Sequence, residues 1–244
     1  MRNLCKQFEL EKKRRIKLMS AHKNYKRMGV HFIKDTAQLK YSYNFTWLGR
    51  PIIQYPPDII AMQEIIWDVK PDLIIETGIA HGGSLIFYAS LLELLGKGRV
   101  LGIDIEIRSH NKKSIQSHFL HKRISLLEGS SVSKEVLKKV AAYTRGKKKI
   151  LVCLDSNHTH EHVLCELNLY SSFVSKGSYL VVFDTVIEDL PDSLNYNRPW
   201  KKGNSPKSAV RNFLKKNKNF KIDRDVENKL IITTNPDGYL KRIR

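Results

Sequence analysis

Five short apolar runs recur along the chain: DLIIE at 72–76, RVLGID at 99–104, ISLLE at 124–128, ILVCLD at 150–155 and YLVVFD at 179–184. Unbroken apolar character, in place of strict alternation, is what a strand buried on both faces requires, so the runs predict a parallel sheet covered by helices on each side. The segments between and after them have helical length and spacing around 85–95, 111–120, 134–143, 160–174 and 206–216. Upstream, Ile59, Ile60, Met62, Ile65, Ile66 and Val69 predict an amphipathic helix over 58–69 with Asp58 as its N-cap. FKIDRDVENKLIITT, 220–234, reads as two strands joined by a short turn. Repeated β-α units closed by a hairpin predict an α/β fold with a doubly wound, mostly parallel seven-stranded sheet.

The chain of 244 residues has the length for one large domain, placed at 45–244, preceded by a basic N-terminal extension over 1–44. In that extension Leu10, Ile16, Leu18 and Met19 form a weak amphipathic pattern, which predicts a solvated helix able to lie on a membrane surface or a partner. Hydrophobic residues at 41% and charged ones at 27% exclude a disordered chain. Cys5, Cys153 and Cys165 are odd in number and widely spaced, which suggests neither a disulfide framework nor a four-thiolate zinc site. With no long uncharged apolar run and no apolar core in MRNLCKQFELEKKRR, the expectation is a cytoplasmic protein. The net charge of +19 is spread over several clusters and biases encounters toward anions. Nucleic acid, anionic lipid headgroups and acidic polysaccharide all fit it, as does a solubilising surface.

Ligands of an open α/β sheet bind outside the carboxyl ends of the strands, where the runs place Glu76, Asp104, Glu128, Asp155 and Asp184. ETGIAHGGS, 76–84, follows the first run and opens a helix. Gly78, Gly82 and Gly83 let backbone approach a ligand, while Glu76 is placed to take a cationic or amino group. Asp104 is placed to accept hydrogen bonds from ribose hydroxyls, and Ser130 in EGSS to meet an adenine edge. Together these positions predict a nucleoside cofactor.

LDSNHTHEHV, 154–163, sets Asp155 three residues before His158. Asp184, ending the next run, falls beside Asp155 at about 5 Å, the spacing of neighbouring strands. Two adjacent carboxylates repel unless a cation or proton separates them, so Mg²⁺ is the natural occupant, with His158 as general base. His160 and His162 read as solvated first-turn residues, although the His158 and His162 pair keeps zinc open.

WLGRPIIQYPPDIIAMQEII, IIETGIAHGGSLIFYAS, GIDIEIRSHN, LDSNHTHEHVLCEL, GSYLVVFDTVIEDLP, RPWKKGNSPKSAVRNFL and KLIITTNPDGYLKRI, spanning roughly 45–243, resemble the family shared by cephalosporin hydroxylases and rhamnosyl O-methyltransferases. The resemblance implies a class I methyltransferase, Rossmann-like fold binding S-adenosylmethionine, and Mg²⁺-dependent methyl transfer to a sugar hydroxyl. By the same resemblance Glu76, Gly78, Gly82 and Gly83 belong to the cofactor loop, Asp104 is the ribose acid, Asp155 and Asp184 are metal ligands and His158 is the base. Where relatives carry an acidic pair before Thr, this chain has Phe183, Asp184 and Thr185, so Glu188 or Asp189 becomes a candidate replacement ligand. Gln54, Tyr55 and Trp200 are candidates to cover the substrate.

The expected partner is a sugar-containing metabolite, glycan or glycolipid, in the cytoplasm or at the inner membrane face. An anionic membrane surface and a second copy of the chain remain open as further partners. The competing readings are a non-catalytic or RNA-directed basic protein on this fold, or a hydroxylase-associated subunit. Nucleic acid is disfavoured because Asp155 and Asp184 repel phosphate without a metal.

Overall fold

The computed structural model describes residues 2–195 and 197–244. Two basic helices, α1 (Arg2–Ala21) and α2 (Lys23–Ala37), lead into a small hairpin of β1 (Thr46–Trp47) and β2 (Arg50–Pro51), then α3 (Pro56–Val69). There follow β3 (Leu73–Thr77), α4 (Gly83–Leu94), β4 (Arg99–Asp104), α5 (Ser109–Gln116), β5 (Ile124–Glu128) and α6 (Lys134–Thr144). The second half runs β6 (Ile150–Leu154), α7 (His160–Tyr170), β7 (Tyr179–Val182), α8 (Pro206–Lys216), β8 (Phe220–Ile222), α9 (Arg224–Glu227) and β9 (Tyr239–Arg242). Seven strands form one sheet in the order β5-β4-β3-β6-β7-β9-β8, parallel from β5 to β7, with β9 antiparallel to both β7 and β8.

Both faces of the sheet are covered, as the unbroken apolar runs require. Ile74, Val100, Leu151 and Val181 point to the α3 and α4 side, among Ile65, Leu85 and Phe87. Their neighbours Leu73, Ile75, Leu101 and Val152 point to the α6, α7 and α8 side, among Val140, Leu167 and Val210. Each such side chain stabilises the fold by about 1.5–3 kcal/mol when fully buried. The chain reverses its direction of winding between β3 and β6, so the loops after these strands diverge and leave a crevice at their carboxyl ends.

Two local expectations are corrected. The N-cap of α3 is Tyr55, followed by Pro56 at the first helical position, where its missing N–H costs nothing. Asp58 instead lies inside the first turn, fully buried, and accepts hydrogen bonds from Thr233 Oγ1, Thr234 N at 2.9 Å and Tyr239 Oη at 2.7 Å. Those bonds explain the second correction. KLIITT does not form the second hairpin strand, because residues 233–235 are held as a buried turn by Asp58; the strand pairing with β8 is β9, reached through α9. The turn-prone stretch before α3 also contains a hairpin, β1-β2, that lies across the start of α4.

Within the N-terminal region, Gly29 of α2 crosses Ile231 so closely that a Cβ would sit 1.7 Å from its carbonyl oxygen. Ile33 packs beyond it with Tyr55 and Val186. The outer helix α1 exposes Leu4, Phe8, Leu10 and Leu18. No helix among the described residues is long and apolar enough to cross a membrane.

Candidate active site

The β3-α4 loop is shaped by close backbone approaches that only glycine permits. Gly78 has φ +87°, and a Cβ there would lie 2.0 Å from the carbonyl oxygen of Asp155, so this residue lets the loops after β3 and β6 touch. At Gly83 a Cβ would lie 2.1 Å from the Pro51 carbonyl oxygen, which seats the β1-β2 hairpin on the first turn of α4. Gly83 and Ser84 open that turn toward a cavity of about 730 Å³ at the carboxyl ends of the strands. Gly78, Asp104, Ser130 and Asp155 share the lining.

Two of the expected cofactor residues stand back from the cavity. Glu76 is fully buried inside β3 and receives the Ser84 hydroxyl at 2.6 Å, so its influence on the cavity passes through Ser84. Its other oxygen has no partner, and burial pushes the carboxyl up to about 8. Gly82, at φ +80°, is the N-cap of α4 and faces Ile115; it shapes the loop without lining the cavity. Asp104 is better placed. Its Oδ2 accepts the Ile79 N–H at 2.8 Å, which fixes the carboxylate at the edge of the cavity while leaving it half-buried.

Gln54 also lines the cavity, 5% exposed, with neither amide atom meeting a hydrogen-bond partner in the protein. A buried amide left so costs on the order of 1–3 kcal/mol, which a polar ligand would recover. Tyr55, by contrast, does not cover the site. Its hydroxyl lies 3.1 Å from Thr36 Oγ1 and its ring packs among Phe32 and Tyr41, joining α2 to the domain.

Asp155, His158 and Asp184 converge beside the cavity, each offering one ligand atom within 4.8 Å of the others. Register brings them together. Leu154 of β6 pairs with Val182 of β7, and Phe183 N–H continues the ladder to the Leu154 carbonyl at 3.0 Å. Phe183 therefore points into the core, 2% exposed, and Asp184 turns out of the sheet by adopting a left-handed φ of +54°. The Asp155 carboxyl is held well above its usual range, first by burial and then by the nearby charges of Asp184, Glu76 and Glu166. Such a pair is relieved by a cation. Asp184 Oδ2 lies 3.4 Å from His158 Nε2, and the His158 imidazole meets Trp200 edge-on at a centroid distance of 4.9 Å.

The replacement ligands considered for position 183 are committed elsewhere. Glu188 accepts the Gly203 N–H at 2.9 Å and the Ser205 hydroxyl, and Asp189 holds Lys207 at 2.6 Å. Nor are the two remaining histidines solvated. His160 Nδ1 is 2.7 Å from Ser208 Oγ, tying α7 to α8. His162 lines the cavity with Nε2 3.1 Å from Ser156 Oγ and 3.3 Å from Ser131 Oγ, while Ser156 donates to buried Glu166 at 2.8 Å. This network escapes a reading of the loop alone; the i, i+4 spacing of His162 and Glu166 on one helix face is the signal that points to it. With His162 occupied there, the His158 and His162 pairing that kept zinc open does not form.

The family model described as "Rhamnosyl O-methyltransferase/CmcI" matches residues 39–243. A rhamnosyl O-methyltransferase of Mycobacterium tuberculosis (strain H37Rv) is 28% identical over 200 residues, 81% of this chain and 78% of that protein. One from Mycobacterium leprae is 29% identical over 148 residues, 60% of this chain and 62% of its own length. Among solved structures, CmcI with Mg and SAM superposes with a TM-score of 0.58 at 18% identity, over 83% of this chain and 78% of CmcI. The shared fold is the class I methyltransferase fold. The chain belongs to the rhamnosyl O-methyltransferase/CmcI family.

Proposed function

We propose that the protein is an S-adenosylmethionine-dependent O-methyltransferase that methylates a sugar hydroxyl of a glycan, glycolipid or glycosylated metabolite, assisted by Mg²⁺. The observation that carries this reading is the placement of Asp155, His158 and Asp184 beside a glycine-walled cavity at the switch in strand order. The residues fit the cofactor. Gly78 and Gly83 leave space for backbone contact, the unpartnered Gln54 amide offers a donor and an acceptor to an amino-acid head group, and Asp104 and Ser130, which line the same cavity, are the groups proposed for ribose and adenine.

When bound, the sulfonium donor supplies an electrophilic methyl and the divalent ion a positive charge that makes the acceptor hydroxyl more acidic. Asp155 and Asp184 would hold the ion and, with it, orient the hydroxyl. His158 would take the acceptor hydroxyl's proton at Nε2, with the methyl group supplied by the sulfonium donor when it is bound. Trp200 braces the imidazole and closes that side of the cavity. Positioning and charge neutralisation supply the acceleration, since the reacting atoms need only be held in line. The outer face of α1, with Lys12, Lys13 and Arg14 near exposed Leu10 and Leu18, supports action at the inner membrane surface on a lipid-linked acceptor.

Calorimetric titration with S-adenosylmethionine, with and without Mg²⁺, tests the reading. Saturable binding is the expected result, and its absence under both conditions overturns the proposal.

A further inference from the structure

We infer that the acceptor is an anionic sugar, a uronate or a sugar phosphate, and that Arg198 recognises its charge. The inference rests on the methyl-transfer reading of the cavity and narrows its substrate class.

The segment RPWKKGN, residues 198–204, forms one wall of the cavity through Arg198 and Trp200. Because the Trp200 ring stands edge-on to the His158 imidazole, a hydroxyl presented to His158 belongs to a ring lying against or beside the indole. The Arg198 guanidinium is 5.2 Å from the centroid of the same indole. A guanidinium held over a ring by cation–π attraction keeps N–H donors free, and these can take a carboxylate or phosphate two-pronged. One wall thus offers an apolar face for a sugar ring and a fixed cation next to it.

What is left unpaired on this wall is cationic. Among the described residues, no carboxylate lies within ion-pair distance of Arg198 or Lys201, whereas Lys207 is paired with Asp189 and Asp237, and Arg211 with Glu188. Two acids fix the backbone of the segment: Glu188 accepts from Gly203 N–H at 2.9 Å, and Asp192 from Lys202 N–H at 3.0 Å. Asn204 adds two more ties, accepting the His160 N–H and donating to the Pro199 carbonyl, each at 2.8 Å. The wall is therefore fastened through its main chain, which leaves its cationic side chains for another partner. Repulsion from the Asp155 and Asp184 carboxylates would not oppose an anion here once a bound divalent ion balances their two negative charges.

The competing role for Arg198 is to hold Trp200 in place, and the two roles separate experimentally. S-adenosylhomocysteine is first titrated into the Mg²⁺-containing protein. Methyl α-D-glucoside, methyl α-D-glucuronoside and glucose 1-phosphate are then compared by saturation-transfer NMR and calorimetry. Both charged sugars are expected to bind at least about tenfold tighter than the neutral one at low salt, with the advantage shrinking as salt rises. Arg198→Gln removes that advantage without changing affinity for the neutral glycoside or S-adenosylhomocysteine, and Arg198→Lys retains part of it. Equal affinities for charged and neutral sugars, including none detectable, overturn the inference, as does an Arg198→Gln variant that weakens both alike. Failure of S-adenosylhomocysteine itself to bind overturns the methyl-transfer reading and this inference with it.

Discussion

His158 Nε2 and Asp184 Oδ2 lie 3.4 Å apart across two loops that leave neighbouring parallel strands. The contact places the His158 imidazole within reach of both the Asp155 and Asp184 carboxylates, at the edge of the cavity where a substrate hydroxyl would be presented. His158→Ala is expected to lower methyl transfer by about 10²–10⁴-fold, the usual range for a general base, while S-adenosylmethionine affinity stays within a few-fold. Steady-state rates and calorimetry check this together. Parallel loss of rate and cofactor affinity would show that the side chain supports the fold of the loop instead.

Asp184→Asn keeps the shape of the side chain and removes half of the paired charge. We expect weaker Mg²⁺ binding, by at least about tenfold, with the protein still folded, because the Asp184 backbone is anchored independently by Asn235 at 3.1 Å. Isothermal titration with MgCl₂ reads the affinity, and an unchanged value would remove Asp184 from the ion's ligand set.

Asp58 collects donors from Thr233, Thr234 and Tyr239 in a fully buried position. Asp58→Ala strands those donors without solvent, which costs roughly 3 kcal/mol and lowers Tm by about 6–12 °C at this chain length. Thermal unfolding followed by circular dichroism measures the shift. A drop of a degree or two would mean that water replaces the carboxylate.

Glu76 gives stability a pH dependence of known sign. Its carboxyl is raised from an ordinary value of 4.5 to about 8 by burial, which outweighs the hydrogen bond it accepts from Ser84. The folded state therefore binds the proton more tightly than the unfolded one, so this contribution is complete below about pH 4.5 and is lost as pH rises through about 8. Glu76→Gln, which mimics the protonated acid, should flatten the fall in stability between those values. Over that window the wild type should lose up to roughly 5 kcal/mol more than the variant. Urea melts of the two proteins across the range provide the comparison, and parallel curves would place the titration elsewhere.

Much of the fold is legible in the letters, because hydrophobic periodicity reports burial directly. Short runs such as LIIE and LVCL read as strands covered on both faces, and their alternation with helical patterns pointed to the doubly wound sheet. The glycines of ETGIAHGGS, the acid of GIDIE and the spacing of Asp155 and His158 likewise announce a ligand at the carboxyl edge. These are local signals, carried by residues close together in the chain.

What the letters could not settle depends on contacts between distant segments. Asp58 resembles a helix cap until residues 233–239 close over it, and KLIITT resembles a strand until the same carboxylate holds its last residues as a turn. Glu76 seems to face a ligand until β3 extends past it and buries it. Whether Glu188 or Asp189 reaches the ion turns on Ser205, Gly203 and Lys207, and the environment of His162 on Ser131 and Ser156. The periodic pattern of one chain encodes which faces are buried; only tertiary packing decides which polar groups meet, since a hydrogen bond needs both partners in place.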